Sequence, residues 1–155
     1  MYLDVQNRLW SSLGLTTTAV STNAIDCAAP YTTNATQPDP SAGEPLALFV
    51  NVETAGGHAG TETYEFQVIT ATASDLTTGQ LVIATTGTIA TADVAVTLAA
   101  GRTIVLPIPP GSITQRYLGA KIVSANSAAV TVSGYILPLS EAEVRKYYST
   151  AILVH

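Results

Sequence analysis

The chain has 155 residues, a length that suits one domain with a single buried core. Only 11% of residues are charged and 47% are hydrophobic, with a formal net charge of −5, whereas charged residues make up about a quarter of an average globular protein. This excess of acid over base argues against a nucleic-acid partner, which needs clustered cations to displace phosphate counterions. Apolar runs stop far short of the ~20 residues a membrane-spanning helix needs, and the single cysteine, Cys27, leaves no intrachain disulfide or multi-cysteine zinc site.

In chain order, residues 1–13 read as a short helix, with Leu3, Trp10 and Leu13 on roughly one side. Asp4 and Arg8 interrupt the apolar residues there, which does not fit a secretory leader, so folding is expected in a cytoplasm. Residues 15–20 read as a first strand, and Cys27, beside Ile25 and Ala28, as a small buried hydrophobe. Residues 29–45 hold four of the eight prolines and read as a loop.

Two segments then alternate with period two. In residues 46–53, Leu48, Val50 and Val52 oppose Phe49, Asn51 and Glu53. In residues 63–72, Tyr64, Phe66, Val68 and Thr70 oppose Glu65, Gln67 and Ile69. Such alternation predicts strands with one face in the core. Further strands are expected over residues 81–86, 92–98, 102–108, 117–123 and 129–137, separated by turn residues such as Thr78-Gly79, Ala100-Gly101 and Pro109-Pro110-Gly111. Eight antiparallel strands imply an all-β fold, a single jelly-roll sandwich. Residues 1–14 form an N-terminal extension in this reading, 15–139 the sandwich, and 140–155 a C-terminal extension. Within the last, Ser140-Glu-Ala-Glu143 has capping-box spacing that predicts a short helix through Tyr148, followed by an apolar end at residues 151–154.

No catalytic constellation stands out. Of the two histidines, His155 ends the chain and His58 lies in a glycine-rich turn, Gly56-Gly-His-Ala-Gly60. Neither is placed beside a recognisable nucleophile motif. Glu53, Glu62 and Glu65 flank one predicted hairpin; a glycosidase pair is one reading, and a solvated acidic rim is the favoured one. No ordered calcium loop accompanies them. The expectation is therefore a protein that is not an enzyme and uses no cofactor or metal. Arg102 and Arg116 stand at strand entrances, where a lone cation is placed to pair with an acidic residue or cap a partner's carbonyls, an ordinary surface role being the favoured reading. Trp10, Tyr147, Tyr148, Ile152, Leu153 and Val154 are large apolar residues near chain ends, which either fold back over the sandwich or anchor a partner.

Residues 15–26 (Leu-Thr-Thr-Thr-Ala-Val-Ser-Thr-Asn-Ala-Ile-Asp), Gly43-Glu-Pro-Leu46 leading into Val50-Asn-Val-Glu-Thr54, Tyr64-Glu-Phe-Gln67, and Pro109-Pro-Gly111 followed by Arg116-Tyr-Leu-Gly119 together resemble the small jelly-roll cement, or decoration, proteins of tailed-bacteriophage capsids. The order and spacing of these segments, from about Leu15 to Leu137, carry the resemblance. It implies a capsid decoration protein on the outer surface of the virion head, assembled in the host cytoplasm. Its implied partners are the major capsid protein and further copies of itself, as a dimer or trimer, without contact to nucleic acid or membrane. The proline-rich loop and the extension after Leu139 depart from the family pattern. Candidate capsid or self contacts are Tyr2, Leu3, Trp10, Arg102, Arg116, Tyr147, Tyr148, Ile152, Leu153 and Val154. The alternative is a jelly-roll carbohydrate-binding module, which needs aromatic platforms beside polar groups.

Overall fold

The computed structural model describes residues 7–14, 16–27, 44–55, 61–90, 96–125 and 130–142. Among the described residues nine strands follow in chain order: β1 (Arg8–Gly14), β2 (Ala19–Val20), β3 (Ile25–Asp26), β4 (Leu46–Thr54), β5 (Thr63–Ala71), β6 (Leu81–Thr85), β7 (Thr103–Pro107), β8 (Tyr117–Ala125) and β9 (Thr131–Pro138). They make two sheets, β1-β9-β4-β7 and β2-β8-β5-β6, with β3 also paired to β8. Every pairing is antiparallel. The first strand pairs with the last, β2 and β3 with β8, β4 with β7, and β5 with β6. The chain is thus a long hairpin of strand pairs rolled into two facing sheets, which is the jelly roll.

Alternation decides which side chains fill the space between the sheets. Leu48, Val50 and Val52 of β4 point inward, as do Tyr64, Phe66 and Val68 of β5, Leu118, Ala120 and Ile122 of β8, and Val132 and Ile136 of β9; all are buried in one cluster. Each large apolar side chain removed from water contributes about 1.5–3 kcal/mol. Cys27 is buried against the same cluster, as its setting predicts.

Each sheet also carries a smaller apolar patch on its outer face. On the first sheet, Ala47, Phe49 and Leu137 pack with Val105, Tyr135, Leu139 and Ala142. Residues 139–142 are helical, so the chain turns back over this face where the capping-box spacing predicts a helix; Ser140 Oγ donates to Glu44 Oε1 at 3.0 Å. The continuation toward Tyr148 and the end at residues 151–154 lie outside the described residues. On the second sheet, Ile69, Ala71 and Leu76 pack with Val20, Ala24 and Tyr117.

The N-terminal expectation is corrected. Residues 8–14 form a strand rather than a helix, and the first sheet begins inside the segment expected to lie beyond the sandwich. The register of β1 against β9 is irregular between Arg8 and Trp10 and again between Trp10 and Leu13, and Ser12 has φ 47°. These irregularities let the consecutive residues Leu9 and Trp10 both face the core, producing a spacing that imitates a helical stripe. Two other expectations change. Of the described residues 16–20 only Ala19 and Val20 are strand. Of residues 92–98, the described Val96 and Thr97 are helical and Leu98 is in a turn, because the chain crosses here from the bridge between Ile89 and Tyr64 in one sheet to β7 in the other.

Trp10 lies directly opposite Gly134 of β9. A Cβ at position 134 would collide with Cε3 of the indole and lie 2.8 Å from its Cζ3, so the ring occupies the space that a side chain would take. Gly134→Ala is expected to lower the unfolding free energy by about 1–3 kcal/mol through overpacking. Gly14→Ala, where nothing lies within 4 Å of an added Cβ, is expected to stay within about 0.5 kcal/mol of the parent. Denaturant unfolding of both variants is the check; equal stabilities would remove the packing role assigned to Trp10.

Candidate interaction surface

The residues singled out in the sequence separate into three groups. Trp10 is 1% exposed, so it is a core residue of the folded chain and not a contact for a partner; this corrects both its expected role and its expected place outside the sandwich. Arg102 and Arg116 are exposed. Tyr2, Leu3, Tyr147, Tyr148, Ile152, Leu153 and Val154 lie outside the described residues.

Arg116 immediately precedes β8 and meets Asp26 of β3, whose backbone pairs with Tyr117. Its Nε lies 3.0 Å from Oδ1 and its Nη2 2.8 Å from Oδ2 of Asp26, a two-pronged ion pair. The guanidinium also sits 5.2 Å from the centre of the Tyr117 ring. Hydrogen bonding to Asp26 raises the Arg116 pKa above its ordinary value. Arg116 thus pairs with an acidic residue, one of the roles open to a cation at a strand entrance, and the pair ties the two-residue β3 to its neighbour. Arg102 uses its backbone: its N–H donates to Ala99 O at 3.0 Å and its carbonyl accepts from Val52 N at 2.9 Å, closing the turn into β7. Its side chain has no acidic partner among the described residues.

The three carboxylates do not form one rim. Glu62 is fully buried, with Oε2 accepting the Thr61 N–H at 3.1 Å, which corrects the expectation that it is solvated. Glu53 and Glu65 stand on β4 and β5, in different sheets. Glu53 accepts from Ser133 Oγ of β9, and Ser133 Oγ in turn accepts the Ser12 N–H of β1 at 3.1 Å. Three adjacent strands are thereby tied on one outer face. Glu65 accepts from Gln67 Nε2 and from Thr85 Oγ1 of β6, both at 2.7 Å. Among the described residues no group of three or more histidine, cysteine, aspartate or glutamate side chains is arranged to hold a metal ion.

The apolar surface lies elsewhere than sequence reasoning put it. The large hydrophobic side chains that stay exposed among the described residues are Leu81 and Val82, each 49% exposed, and Val96 at 63%. Leu81 and Val82 begin β6, the edge strand of the second sheet. A signal for this was present in the sequence: no charged residue occurs from Leu76 to Ala92.

The family model described as Bbp16 matches residues 11–136. No curated protein matches the chain.

The strand ties built on Glu53 and Glu65 carry a pH dependence. Hydrogen bonds from Ser133, then Ser12, lower the Glu53 pKa below 4.5, and those from Gln67, then Thr85, do the same for Glu65. A carboxylate whose pKa is depressed on folding adds stability that is complete above its unfolded pKa and is lost as pH falls through its folded one. Stability is therefore expected to decline below pH 4.5. The double variant Glu53→Gln, Glu65→Gln should lose less stability than the parent between about pH 5 and pH 3, measured by denaturant unfolding at each pH. Parallel declines for parent and variant would contradict this assignment.

Proposed function

The chain belongs to the Bbp16 family, and from that premise we propose that it is a bacteriophage capsid decoration protein, binding the major capsid protein on the outside of the head and stabilising the shell. The observation that carries the reading is a coincidence of extents. The family match, residues 11–136, runs from within β1 to within β9 and so spans nearly all of the sandwich. The ordered segments that resemble jelly-roll cement proteins fall on the same body.

A decoration protein adds contact area across joints between shell subunits, and repetition over a closed shell multiplies modest contacts through high effective concentration. A sandwich with few charged groups loses little to charge desolvation on docking, and its fixed backbone loses little conformational entropy. In this reading the protein acts without catalysis or cofactor, as a homo-oligomer on the virion surface. A carbohydrate-binding role fits less well. Trp10, Phe49, Tyr64 and Phe66 are buried, and Tyr117 and Tyr135 are half-buried against the outer clusters, so the described residues leave little of the aromatic surface that sugars stack on.

Heads assembled without this chain are expected to lose their DNA at lower temperature and at higher residual salt than complete heads, and adding the purified protein back should restore resistance. Dye accessibility of packaged DNA during heating measures this. Identical release profiles with and without the protein would count decisively against a decoration role.

A further inference from the structure

The two ends of the sandwich are built from different residues. At one end β1 runs into β2, β4 into β5, β6 into β7 and β8 into β9; at the other β3 runs into β4, β5 into β6 and β7 into β8. The second end gathers charge and proline. Arg8, Asp26, Glu44, Asp75, Arg116 and Glu141 stand there among the described residues, together with Pro45, Pro107, Pro109, Pro110 and Pro138. The first end presents short hydroxyl side chains instead. Thr16, Thr17 and Thr18 follow β1, Thr54 ends β4, Thr61 precedes β5 and Thr88 follows β6, and all of these are exposed. Some also join neighbouring strands: Thr54 Oγ1 lies 2.5 Å from Thr131 Oγ1, and Thr18 Oγ1 accepts the Ser124 N–H at 3.1 Å.

Charge at the first end is nearly spent. Glu62 is fully buried there, and Glu53 is half-buried and engaged by Ser133. Among the described residues one exposed charge remains at this end, Arg102. It shares the short crossing into β7 with Val96, the most exposed of the large hydrophobic side chains at 63%. The crossing is held firmly. Leu98 is buried in the core, the Gly101 N–H donates to Val52 O at 2.9 Å, and the backbone of Arg102 is bonded to both Ala99 and Val52. Whereas the Arg116 guanidinium is taken up by Asp26, that of Arg102 makes no ion pair among the described residues.

We infer that this threonine-rich end is the surface turned to the major capsid protein, with the Arg102 guanidinium pairing with a carboxylate of that protein and Val96 entering an apolar recess beside it. The inference rests on the decoration reading and adds to it which face meets the shell. Desolvation separates the two ends. Docking by the charged end would strip water from several carboxylates and guanidinium groups at once, and each buried charge left without a well-placed partner is destabilising. At the threonine-rich end one exposed guanidinium has to be matched. Short hydroxyl side chains also have fewer rotamers to lose on docking than long charged ones. The held turn presents its arginine and valine in place, so little ordering remains to be done when a partner arrives. Charge selects the chemistry of that partner. In a chain of net charge −5, an approaching carboxylate is repelled least at the end whose exposed charge is positive.

Cosedimentation of the full chain with decoration-free heads tests this. Arg102→Glu should raise the dissociation constant by roughly tenfold or more, Arg102→Lys should raise it less, and Val96→Asp should act in the same direction as Arg102→Glu. Arg102→Ala should also flatten the dependence of binding on salt, which a merely structural role for the residue would not do. Circular dichroism and unfolding temperature should stay at parent values, because both side chains are exposed. Thr114→Glu, exposed at the opposite end, should bind like wild type. A second measurement does not depend on Arg102. Polyethylene glycol coupled through a maleimide to the Thr17→Cys protein should block head binding, and the same polymer on the Thr114→Cys protein should not; Cys27 is buried, which directs the polymer to the introduced thiol. Wild-type binding by Arg102→Glu and Val96→Asp, or blocking from position 114 and not from position 17, would overturn the inference and leave the decoration reading standing. A wild-type chain that binds no heads would remove both.

Discussion

The contact between the Trp10 indole and the bare backbone of Gly134 joins the beginning of the sandwich to its end. Among the described residues β1 and β9 are the first and last strands, and their pairing closes the rolled hairpin on that side. A side chain at 134 would evict the ring. With the ring in place, β9 sits between β1 and β4, and Val132 and Ile136 are held in register to complete the core. The bulged path of β1 follows from the same need, since two consecutive large side chains, Leu9 and Trp10, are turned inward.

Most of the sheet structure was legible because it obeys a simple period. β4 and β5 alternate cleanly, and their inward residues are those the pattern assigns. The turn chemistry around Gly79, Gly101 and Gly111 also holds, and each of these glycines has positive φ. What escaped the sequence departs from period two for a physical reason. β1 is bulged, so its spacing resembles a helix. β3 is two residues long and is held largely by pairing with β8 and the Arg116–Asp26 ion pair. Residues 96–98 lie on a crossing between sheets, where apolar residues such as Leu98 are buried without strand pairing.

The interaction surface was harder to read than the fold. Large aromatic residues near chain ends draw attention as anchors, yet Trp10 is spent on closing the core. Arg116 was readable as a residue awaiting an acidic partner, but its partner lies ninety positions away in sequence. An open edge is a property of topology: Leu81 and Val82 look like ordinary strand residues until the strand order places β6 last in its sheet. Scarcity of charge links these observations to the proposed function. The few carboxylates on the outer faces are largely engaged in tying strands together, as Glu53 and Glu65 do, and a long stretch of border is left neutral. Such a surface suits repeated docking more than it suits life as an isolated particle.

The proposed role places this jelly roll on the outer face of a phage head. A density map of intact mature particles, resolved to the level of separate strands, tests it most directly. Density for the four-strand and five-strand sheets is expected on the exterior of the shell, in contact with the major capsid protein. Mature heads whose exterior lacks this density, with the chain located in the tail or absent from the particle, would contradict it.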